Sequence, residues 1–329
     1  MIEKYRVVPD QIIKEIALSR RLPLNHYLQP TLKSSINIGK AGYKGEKEVD
    51  YYLELLPNDK FRIFQGIRLP RDSYFFQMDN LILLPEFILI IEVKNIEGTL
   101  FFDQEHNQFY RISRLTKERQ KMNDPFKQVK RHRKQLFQWM AKHGFPLVPI
   151  EYLVVNTNED TLFDSSGNQH DMFEKIIHSE YLLEKVYKLE QKYQKEYLND
   201  KDLRKLSKQL LKADTPLIFD IRQFYKFDDA DLIKGVRCPQ CNTVPMTWYK
   251  RAWQCDKCKH RSKDAHKPAL HDFFLLISPA TTNLKCREFL KCDSTDTIRY
   301  LLKSMNFKTK GIKKGMQYTL SFPPSQILK

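Results

Sequence analysis

The sequence predicts an α/β fold in which a mixed β-sheet flanked by helices is followed by a helical segment and two small C-terminal modules. Three observations predict it. Short apolar runs bounded by turn residues alternate with helical patterns between residues 36 and 170. Apolar residues then recur at helical spacing among many charged residues. Near the C-terminus, four cysteines form two close pairs, and the chain after them is strongly basic.

Five segments follow from these patterns. With 329 residues, of which 41% are hydrophobic, the chain is long enough for more than one core. We predict a peripheral segment at residues 1–35, the α/β domain at 36–170, a helical segment and linker at 171–233, a cysteine-containing module at 234–266 and a basic module at 267–329.

The charge is high and uneven. The net charge is +16 and the isoelectric point is about 9.4, which favours polyanionic partners, with nucleic acid ahead of an anionic membrane. Residues 231–329 hold 19 Lys/Arg against 7 Asp/Glu, so most of the excess lies in the last third. No apolar run is long enough to span a membrane, and the N-terminus lacks the apolar core of a signal peptide. We therefore expect a cytoplasmic protein whose six cysteines are reduced thiols or metal ligands and not disulfides.

The chain is organised around residues 77–98, QMDNLILLPEFILIIEVKNIEG. Two apolar runs, Leu81–Leu84 and Phe87–Ile91, flank Pro85 and Glu86, and they predict two buried strands joined by a tight turn. If Leu84 pairs with Phe87 across a two-residue loop, the polar residues at the outer ends of both runs face each other.

In that register Asp79 lies opposite Glu92, with Cβ atoms roughly 4.5–5.5 Å apart. Lys94 shares a face with Glu92 because side chains alternate along a strand. Two opposed carboxylates need something positive between them, and Mg²⁺ prefers such oxygen ligands. Lys94 is then placed to hold a phosphate oxygen or a water. The competing interpretation is that charged residues simply mark where two apolar strands reach solvent.

A helix is predicted after Gly42 and Gly45, with Val49 and Leu53 on its apolar stripe. Glu46 falls in its predicted first turn, where the helix dipole favours an acid. The functional alternative is that Glu46 is a third acidic group of the hairpin site.

The remaining elements complete the α/β domain. We predict a first strand at residues 61–69, a loop at 70–74, a second hairpin from strands 99–102 and 108–112, and a closing strand at 147–155. A helix begins at Pro125 with Asp124 as its cap. Its surface is basic, which is typical of a solvated face but also of phosphate contacts, as at Lys130, Arg131 and Lys134. Gln128, one turn in, is placed to hydrogen-bond into the site.

The two cysteine pairs, Cys238 with Cys241 and Cys255 with Cys258, are separated by 13 residues. Two C-x-x-C pairs complete a tetrahedral site of four sulfurs, which predicts structural Zn²⁺ on a small β-ribbon. The alternatives are free thiols or a redox pair. Basic residues crowd this module, and Lys250 and Arg251 are the candidate nucleic-acid contacts. Cys286 and Cys292 are expected to be buried thiols.

The last segment predicts a helix at about 295–305, capped by Asp293 or Ser294, and then a basic hairpin-like end, NFKTKGIKKGMQYTL. The positive charge of this segment again favours contacts with phosphates, but the sequence does not predict its fold.

Four separate stretches resemble the nuclease-related domain (NERD) family, a branch of the PD-(D/E)xK nuclease superfamily. GYKGE (42–46) is similar to the family's Gly-x-x-Gly-Glu, and QMDN (77–80) to its Gln-Ile-Asp-His, departing at Met78 and Asn80. IEVKNIEG (91–98) matches its Glu-x-Lys strand. NDPFKQVKRHRKQL (123–136) is similar to its Asn-Pro-x-x-Gln-x-x-x-His-x-x-x-Leu helix, with one residue inserted before Pro125. A zinc ribbon after the domain is also similar to the family's architecture.

The resemblance implies a restriction-endonuclease-like fold and metal-assisted hydrolysis of phosphodiester bonds. It implies that Asp79 and Glu92 bind Mg²⁺ (or Mn²⁺), that Lys94 assists the attacking water, and that Glu46 and Gln128 complete the site. The leading hypothesis is a nuclease acting on DNA in preference to RNA, with the zinc ribbon and basic tail holding the substrate. The alternatives are a non-catalytic nucleic-acid-binding or signalling protein on the same scaffold, and an RNA-directed nuclease.

Overall fold

A computed structural model describes residues 1–103, 105–166, 170–305, 307–312 and 315–320. Its helices are α1 (Asp10–Arg21), α2 (Gln29–Glu54), α3 (Pro125–Lys142), α4 (His170–Phe173), α5 (Leu182–Lys192), α6 (Asp200–Ala213), α7 (Ile221–Tyr225), α8 (His266–Leu276), α9 (Asn283–Leu290) and α10 (Thr295–Lys303). Among these helices, none combines the length and the apolar character that a membrane crossing requires.

The strands are β1 (Ile2–Lys4), β2 (Arg62–Arg71), β3 (Tyr74–Leu83), β4 (Ile88–Lys94), β5 (Thr99–Asp103), β6 (Gln108–Ile112), β7 (Arg119–Met122), β8 (Ile150–Asn156), β9 (Leu162–Ser165), β10 (Ile176–His178), β11 (Thr247–Tyr249), β12 (Ala252–Gln254), β13 (Arg261–Ser262), β14 (Ala280–Thr282), β15 (Lys308–Lys310) and β16 (Gln317–Thr319). The longest strands are β2 and β3, with 10 residues each.

The chain forms two compact units. The first contains Met1–Arg6 and Lys40–Leu217, and the second contains Val7–Gly39 and Ile218–Lys329. The division therefore falls within α2. Residues 1–35, predicted as one peripheral segment, are shared between the two units. The other segment boundaries stay predictions.

The first unit is built on a six-stranded mixed sheet in the order β1-β2-β3-β4-β8-β10. Strands β2, β3 and β4 form an antiparallel meander, while β8 joins β4 in parallel and β10 joins β8 in parallel. Apolar residues alternate along β4, so Ile88 and Ile90 pack on the face covered by α3 and α6, whereas Leu89 and Ile91 pack on the face covered by α2 and α5. The predicted mixed α/β sheet flanked by helices is confirmed.

The central hairpin has the predicted register. The Leu84 amide donates to the Phe87 carbonyl at 3.0 Å across the two-residue loop, and the ladder runs from Leu83 opposite Ile88 to Asn80 opposite Ile91. The predicted hairpin of β5 and β6 also forms, and β7, β6, β5 and β9 make a separate four-stranded sheet.

Three local predictions are wrong. Residues 70–74 were expected to be a loop, but β2 and β3 extend to a tight turn at Asp72, where φ is +49°. Pro70 is tolerated because it lies beyond the part of β2 that pairs with β1. The closing strand begins at Ile150 rather than at the largely exposed Leu147. The third error concerns α2, which begins at Gln29 and contains all three nearby glycines in its interior.

In the second unit, α1 and α8 pack together, and a small antiparallel sheet of β11, β12 and β13 forms the predicted ribbon. The predicted helix near residue 295 is α10, capped by Ser294. The predicted C-terminal hairpin is β15 with β16, which pairs in turn with β14. Asn306, Lys313, Lys314 and residues 321–329 of the predicted basic module lie outside the described residues.

Candidate metal and active site

The two carboxylates predicted to bind a metal lie at one end of the large sheet, where β3 and β4 stop pairing. The paired ladder ends at Asn80 opposite Ile91. One residue further along, Asp79 Oδ2 accepts a hydrogen bond of 2.9 Å from the Val93 amide. The Asp79 carboxylate is thereby tied to β4, the strand that carries Glu92.

Lys94 connects this strand to helix α3. Its Nζ donates to Glu92 Oε1 at 2.7 Å and to Gln128 Oε1 at 3.3 Å. Glu92 is 1% exposed, whereas the Lys94 side chain is 24% exposed. The ammonium group therefore stands between a buried carboxylate and the surface, and Gln128 lies where the sequence predicted it.

The second oxygen of Glu92 is buried but has no hydrogen-bond partner within the described part of the chain. His132 Nδ1 on α3 lies 3.8 Å from this Oε2 atom, too far for a hydrogen bond, and it is also without a partner there. Burial, reinforced by the positive charge of Arg131, lowers the pKa of His132 to about 4, so the imidazole is neutral at pH 7. An unsatisfied buried carboxylate oxygen is costly, and a bound cation is one partner that would satisfy Glu92 Oε2.

Helix α2 brings Glu46 to the same end of the sheet because Gly45 allows a close approach. A Cβ atom at Gly45 would lie 2.6 Å from Thr157 Oγ1 and 2.9 Å from Asn95 Cβ. The Asn95 side chain also donates to the Ala41 carbonyl of the helix at 2.8 Å. Glu46 lies far inside α2 and not in a first turn, so the dipole explanation for this acid is wrong.

Arg6 holds Glu46 in place. Its guanidinium donates to Glu46 Oε2 at 2.6 Å and to both oxygens of the buried Asp50, at 2.9 and 3.1 Å. It also donates to the Asp79 carbonyl at 2.7 Å and to Asn80 Oδ1 at 3.1 Å. Because its side chain is 3% exposed, Arg6 is a buried link between α2 and β3.

Burial raises the pKa of all three carboxylates. Burial, and then the charge of Asp79, raises the pKa of Glu46 to about 7 and that of Glu92 to about 8. Burial raises the pKa of Asp79 itself. The donor set is therefore rich in carboxylate oxygens, and one oxygen of Glu92 has no hydrogen-bond partner among the described residues. It fits a hard divalent cation such as Mg²⁺ or Mn²⁺.

The predicted nucleic-acid contacts are all exposed. Lys130, Arg131 and Lys134 lie on the outer face of α3, in the unit that carries the carboxylates. Lys130 also lines a cavity of about 330 Å³ beside the first turn of α3. Lys250 and Arg251 lie in the second unit.

Lys250 and Arg251 form the two-residue turn between β11 and β12. Both have positive φ, +45° and +60°, which favours glycine or asparagine over these residues. Arg261 donates to the Lys250 carbonyl at 3.1 Å. With Lys263, these side chains line a basic groove on the ribbon.

The four paired cysteines converge on one point. The Sγ atoms of Cys238, Cys241, Cys255 and Cys258 all lie within 4.8 Å of one another. Cys238 Sγ lies 3.6 Å from Cys258 Sγ, and Cys241 Sγ lies 3.5 Å from Cys255 Sγ. A tetrahedral zinc site with Zn–S bonds of about 2.3 Å has sulfurs about 3.8 Å apart, so the cluster fits such an ion. Cys286 and Cys292 are buried free thiols outside the cluster, as predicted.

Sequence reasoning missed Arg6, Asp50 and His132. No local pattern marks Arg6, because its partners lie 40 to 74 residues away. Asp50 lies in the predicted helix after Gly45, where only the apolar stripe and Glu46 carried a prediction. His132 is the histidine of the helix motif at residues 123–136. That motif is the only sequence feature that could have indicated its position beside Glu92.

Residues 41–157, about a third of the chain, match the family model of the nuclease-related domain. No curated protein and no solved structure matches the chain. The matched residues include every polar side chain of the carboxylate site described above except Arg6. The resemblance predicted from the sequence motifs is confirmed for this stretch.

Proposed function

We propose that the nuclease-related domain formed by residues 41–157 is a Mg²⁺-dependent nuclease that hydrolyses phosphodiester bonds in DNA. The observation that carries this proposal is the gathering of Asp79, Glu92 and Lys94 at one end of the sheet, with a buried Glu92 oxygen left without a partner. An acid pair with a neighbouring lysine is the chemistry that metal-assisted phosphodiester hydrolysis requires.

Asp79 and Glu92 would hold the cation, Mg²⁺ or Mn²⁺. When bound, the cation lowers the pKa of a water and neutralises charge on the phosphate. The residues of the chain position the reactants. Lys94 has its ammonium group partly exposed and fixed by Glu92 and Gln128, so it can orient a water or hold a phosphate oxygen. Glu46, oriented by Arg6, supplies a further acceptor for a water at the same place.

The basic residues would hold the substrate. Lys130, Arg131 and Lys134 on α3, with Lys250 and Arg251 on the ribbon, supply exposed positive charge for the phosphate backbone. The four cysteines would bind Zn²⁺ as a structural ion, because four protein sulfurs leave no open position for a substrate. A cytoplasmic location is part of the proposal, since none of the six cysteines forms a disulfide.

The test is cleavage of supercoiled, linear and single-stranded DNA, and of RNA, with Mg²⁺ or Mn²⁺. Asp79→Asn keeps an acceptor for the Val93 amide but removes the charge, and Lys94→Met keeps the side-chain length. We expect each variant to lose metal-dependent DNA cleavage by roughly 10²–10⁴-fold, the range for a group that acts on the reacting atoms.

The matched control is Glu184→Gln, which removes an exposed carboxylate on α5 and should cleave normally. Tight binding of DNA by all variants with no cleavage by the unmodified protein would support a non-catalytic binding protein instead. Preferential cleavage of RNA would support an RNA-directed nuclease.

A further inference from the structure

The C-terminal part of the second unit has a topology that the sequence did not reveal. From residue 266 the order is helix α8, strand β14, helices α9 and α10, and strands β15 and β16. The three strands form one antiparallel sheet in the order β14-β16-β15, so the last strand lies between the other two. We name residues 266–320 the C-terminal module.

Its two central helices form a helix-turn-helix. Helix α9 ends at Leu290, and Lys291 follows in the left-handed conformation with φ +56°. The Cys292 amide donates to the Arg287 carbonyl at 3.1 Å, and Ser294 begins α10 by accepting a hydrogen bond from the Thr297 amide. Four residues therefore turn the chain from one helix into the next, as in DNA-binding motifs of this kind.

Helix α10 is strongly amphipathic. Ile298, Leu301 and Leu302 are buried in a core that also contains Phe273, Phe289 and Tyr318. The opposite face exposes Arg299, Tyr300 and Lys303, and the Tyr300 side chain is 61% exposed. One face of α10 is therefore packed in the core, and the face exposed to solvent carries two cationic side chains and an aromatic ring.

The hairpin after α10 adds more positive charge. Lys308 and Lys310 on β15 are exposed, while the central Tyr318 of β16 points into the core. This hairpin occupies the place of the wing in a winged helix-turn-helix, where a basic β-hairpin follows the second helix of the motif.

The geometry points to a winged helix-turn-helix in the C-terminal module that binds duplex DNA, with α10 in the major groove and the β15–β16 hairpin on the phosphate backbone. The major groove of B-form DNA is about 12 Å wide and admits a helix, whereas the deep, narrow major groove of A-form RNA does not. The module therefore favours duplex DNA over duplex RNA. It deepens the proposed function by naming the substrate as double-stranded.

The acidic residues near this surface do not reverse its charge. Asp296 on α10 accepts from Arg299 at 2.7 Å, and Asp293 lies in the turn before the helix. Against these two acids stand Arg299, Lys303, Lys308 and Lys310 among the described residues. A phosphate that approaches Arg299 would compete with Asp296 for the same guanidinium, so the ion pair holds the arginine in position without removing its donors.

The experiment measures binding of the full chain to a short duplex DNA, to duplex RNA of the same sequence and to single-stranded DNA. Every protein carries Lys94→Met and no Mg²⁺ is added, so binding is read without cleavage. The test variants are Arg299→Ala with Lys303→Ala on α10, and Lys308→Ala with Lys310→Ala on the hairpin. The control is Arg204→Ala with Lys208→Ala, an exposed Arg/Lys pair with the same spacing on α6.

We expect the α10 pair to weaken duplex DNA binding by about tenfold or more, and the hairpin pair to lower the salt dependence of binding by about two ions. The control pair should change affinity much less. Thermal unfolding should be the same in all variants, because the replaced side chains are exposed.

The inference is overturned if the α10 and control pairs lose affinity equally, if duplex RNA binds as tightly and with the same loss, or if the parent protein does not bind duplex DNA. Because binding is read in a non-cleaving protein, it can succeed while the proposed nuclease activity fails, and the reverse also holds.

Discussion

The two candidate metal sites are assembled in opposite ways. The four cysteines come from 21 consecutive residues, 238–258, on a ribbon of very short strands. The carboxylate site takes Glu46, Asp79, Glu92 and Gln128 from four separate elements of a large sheet domain, and the connection between β1 and α1 supplies Arg6. We therefore expect the fold of the ribbon to depend on its metal site, whereas the carboxylate site depends on the fold of the sheet domain.

This difference follows from how much apolar core supports each site. The carboxylates lie on a sheet that packs against a large apolar cluster on each face. Its strands are therefore stabilised without a bound ion. The ribbon shares one core with the C-terminal module, and two of the cysteines, Cys238 and Cys255, are part of that core. An ion at the cysteines should therefore be worth far more to stability than one at the carboxylates.

The largest effect on stability should come from removing the ion that we propose the four cysteines bind. The buried Trp253 of β12 donates to His266 Nδ1 on α8 at 3.2 Å, which connects the ribbon to the C-terminal module. We expect chelation or Cys255→Ser to abolish metal binding and to expose backbone amides across residues 236–320 to hydrogen exchange. Strands β2 to β4 should keep their protection, because their core contains no cysteine.

Cys286→Ser is the matched control, since Cys286 is also buried but bonds Thr281 and stands outside the cluster. It should retain one ion per chain by mass spectrometry. Full protection of β11 to β13 in a metal-free protein would contradict the comparison, because the ribbon would then hold itself together.

A smaller but still large effect is expected from Arg6. Arg6→Ala leaves the buried Asp50 carboxylate without its bidentate partner, which should cost about 3–5 kcal/mol in the free energy of unfolding. Chemical denaturation would measure it. Arg6→Met with Asp50→Leu removes both charges and should recover most of that stability.

The double variant separates stability from positioning. Glu46 still lacks its Arg6 partner there, so metal-dependent cleavage should stay well below that of the unmodified protein even where stability is restored. Full recovery of cleavage together with stability would show that Arg6 acts on the fold alone and does not position Glu46.

The parts predicted correctly from the sequence depend on contacts between near neighbours. The hairpin register follows from two apolar runs and a two-residue loop, and the cysteine cluster follows from spacing alone. The start of α2 could not be predicted in this way. Its glycines disfavour a helix locally, but Gly39 and Gly45 allow close packing, against Ile12 and against Thr157 respectively, and this tertiary contact outweighs propensity.

The role of Arg6 and the topology of the C-terminal module also escaped prediction. Arg6 follows a three-residue strand whose partner begins near residue 62, so nothing close in sequence marks it. The strands β14, β15 and β16 are three residues each, too short to show an alternating pattern. Their order in the sheet, which identifies the module, is a long-range property.

The smallest expected effect is the loss of stability on replacing Glu151, which contrasts with Glu92 on the neighbouring strand of the same sheet. Glu92 on β4 has one free oxygen, whereas Glu151 on β8 has both satisfied: Lys175 donates to Oε2 at 2.7 Å, and Tyr193 and Lys192 donate to Oε1 at 2.5 and 3.1 Å. Burial alone would raise the pKa of Glu151, but these hydrogen bonds outweigh it and lower the pKa to about 2.

Glu151 should therefore stabilise the protein when it is charged. Because its folded pKa lies below the unfolded value of about 4.5, the stabilisation is complete above that pH and is lost as the pH falls toward 2. We expect Glu151→Gln to cost about 3 kcal/mol at pH 7, with the difference from the unmodified protein shrinking between about pH 5 and pH 2. Glu184→Gln, the exposed control, should leave stability nearly unchanged. A cost for Glu151→Gln that is independent of pH would mean that packing, and not charge, holds this glutamate, and the contrast with Glu92 would lose its electrostatic basis.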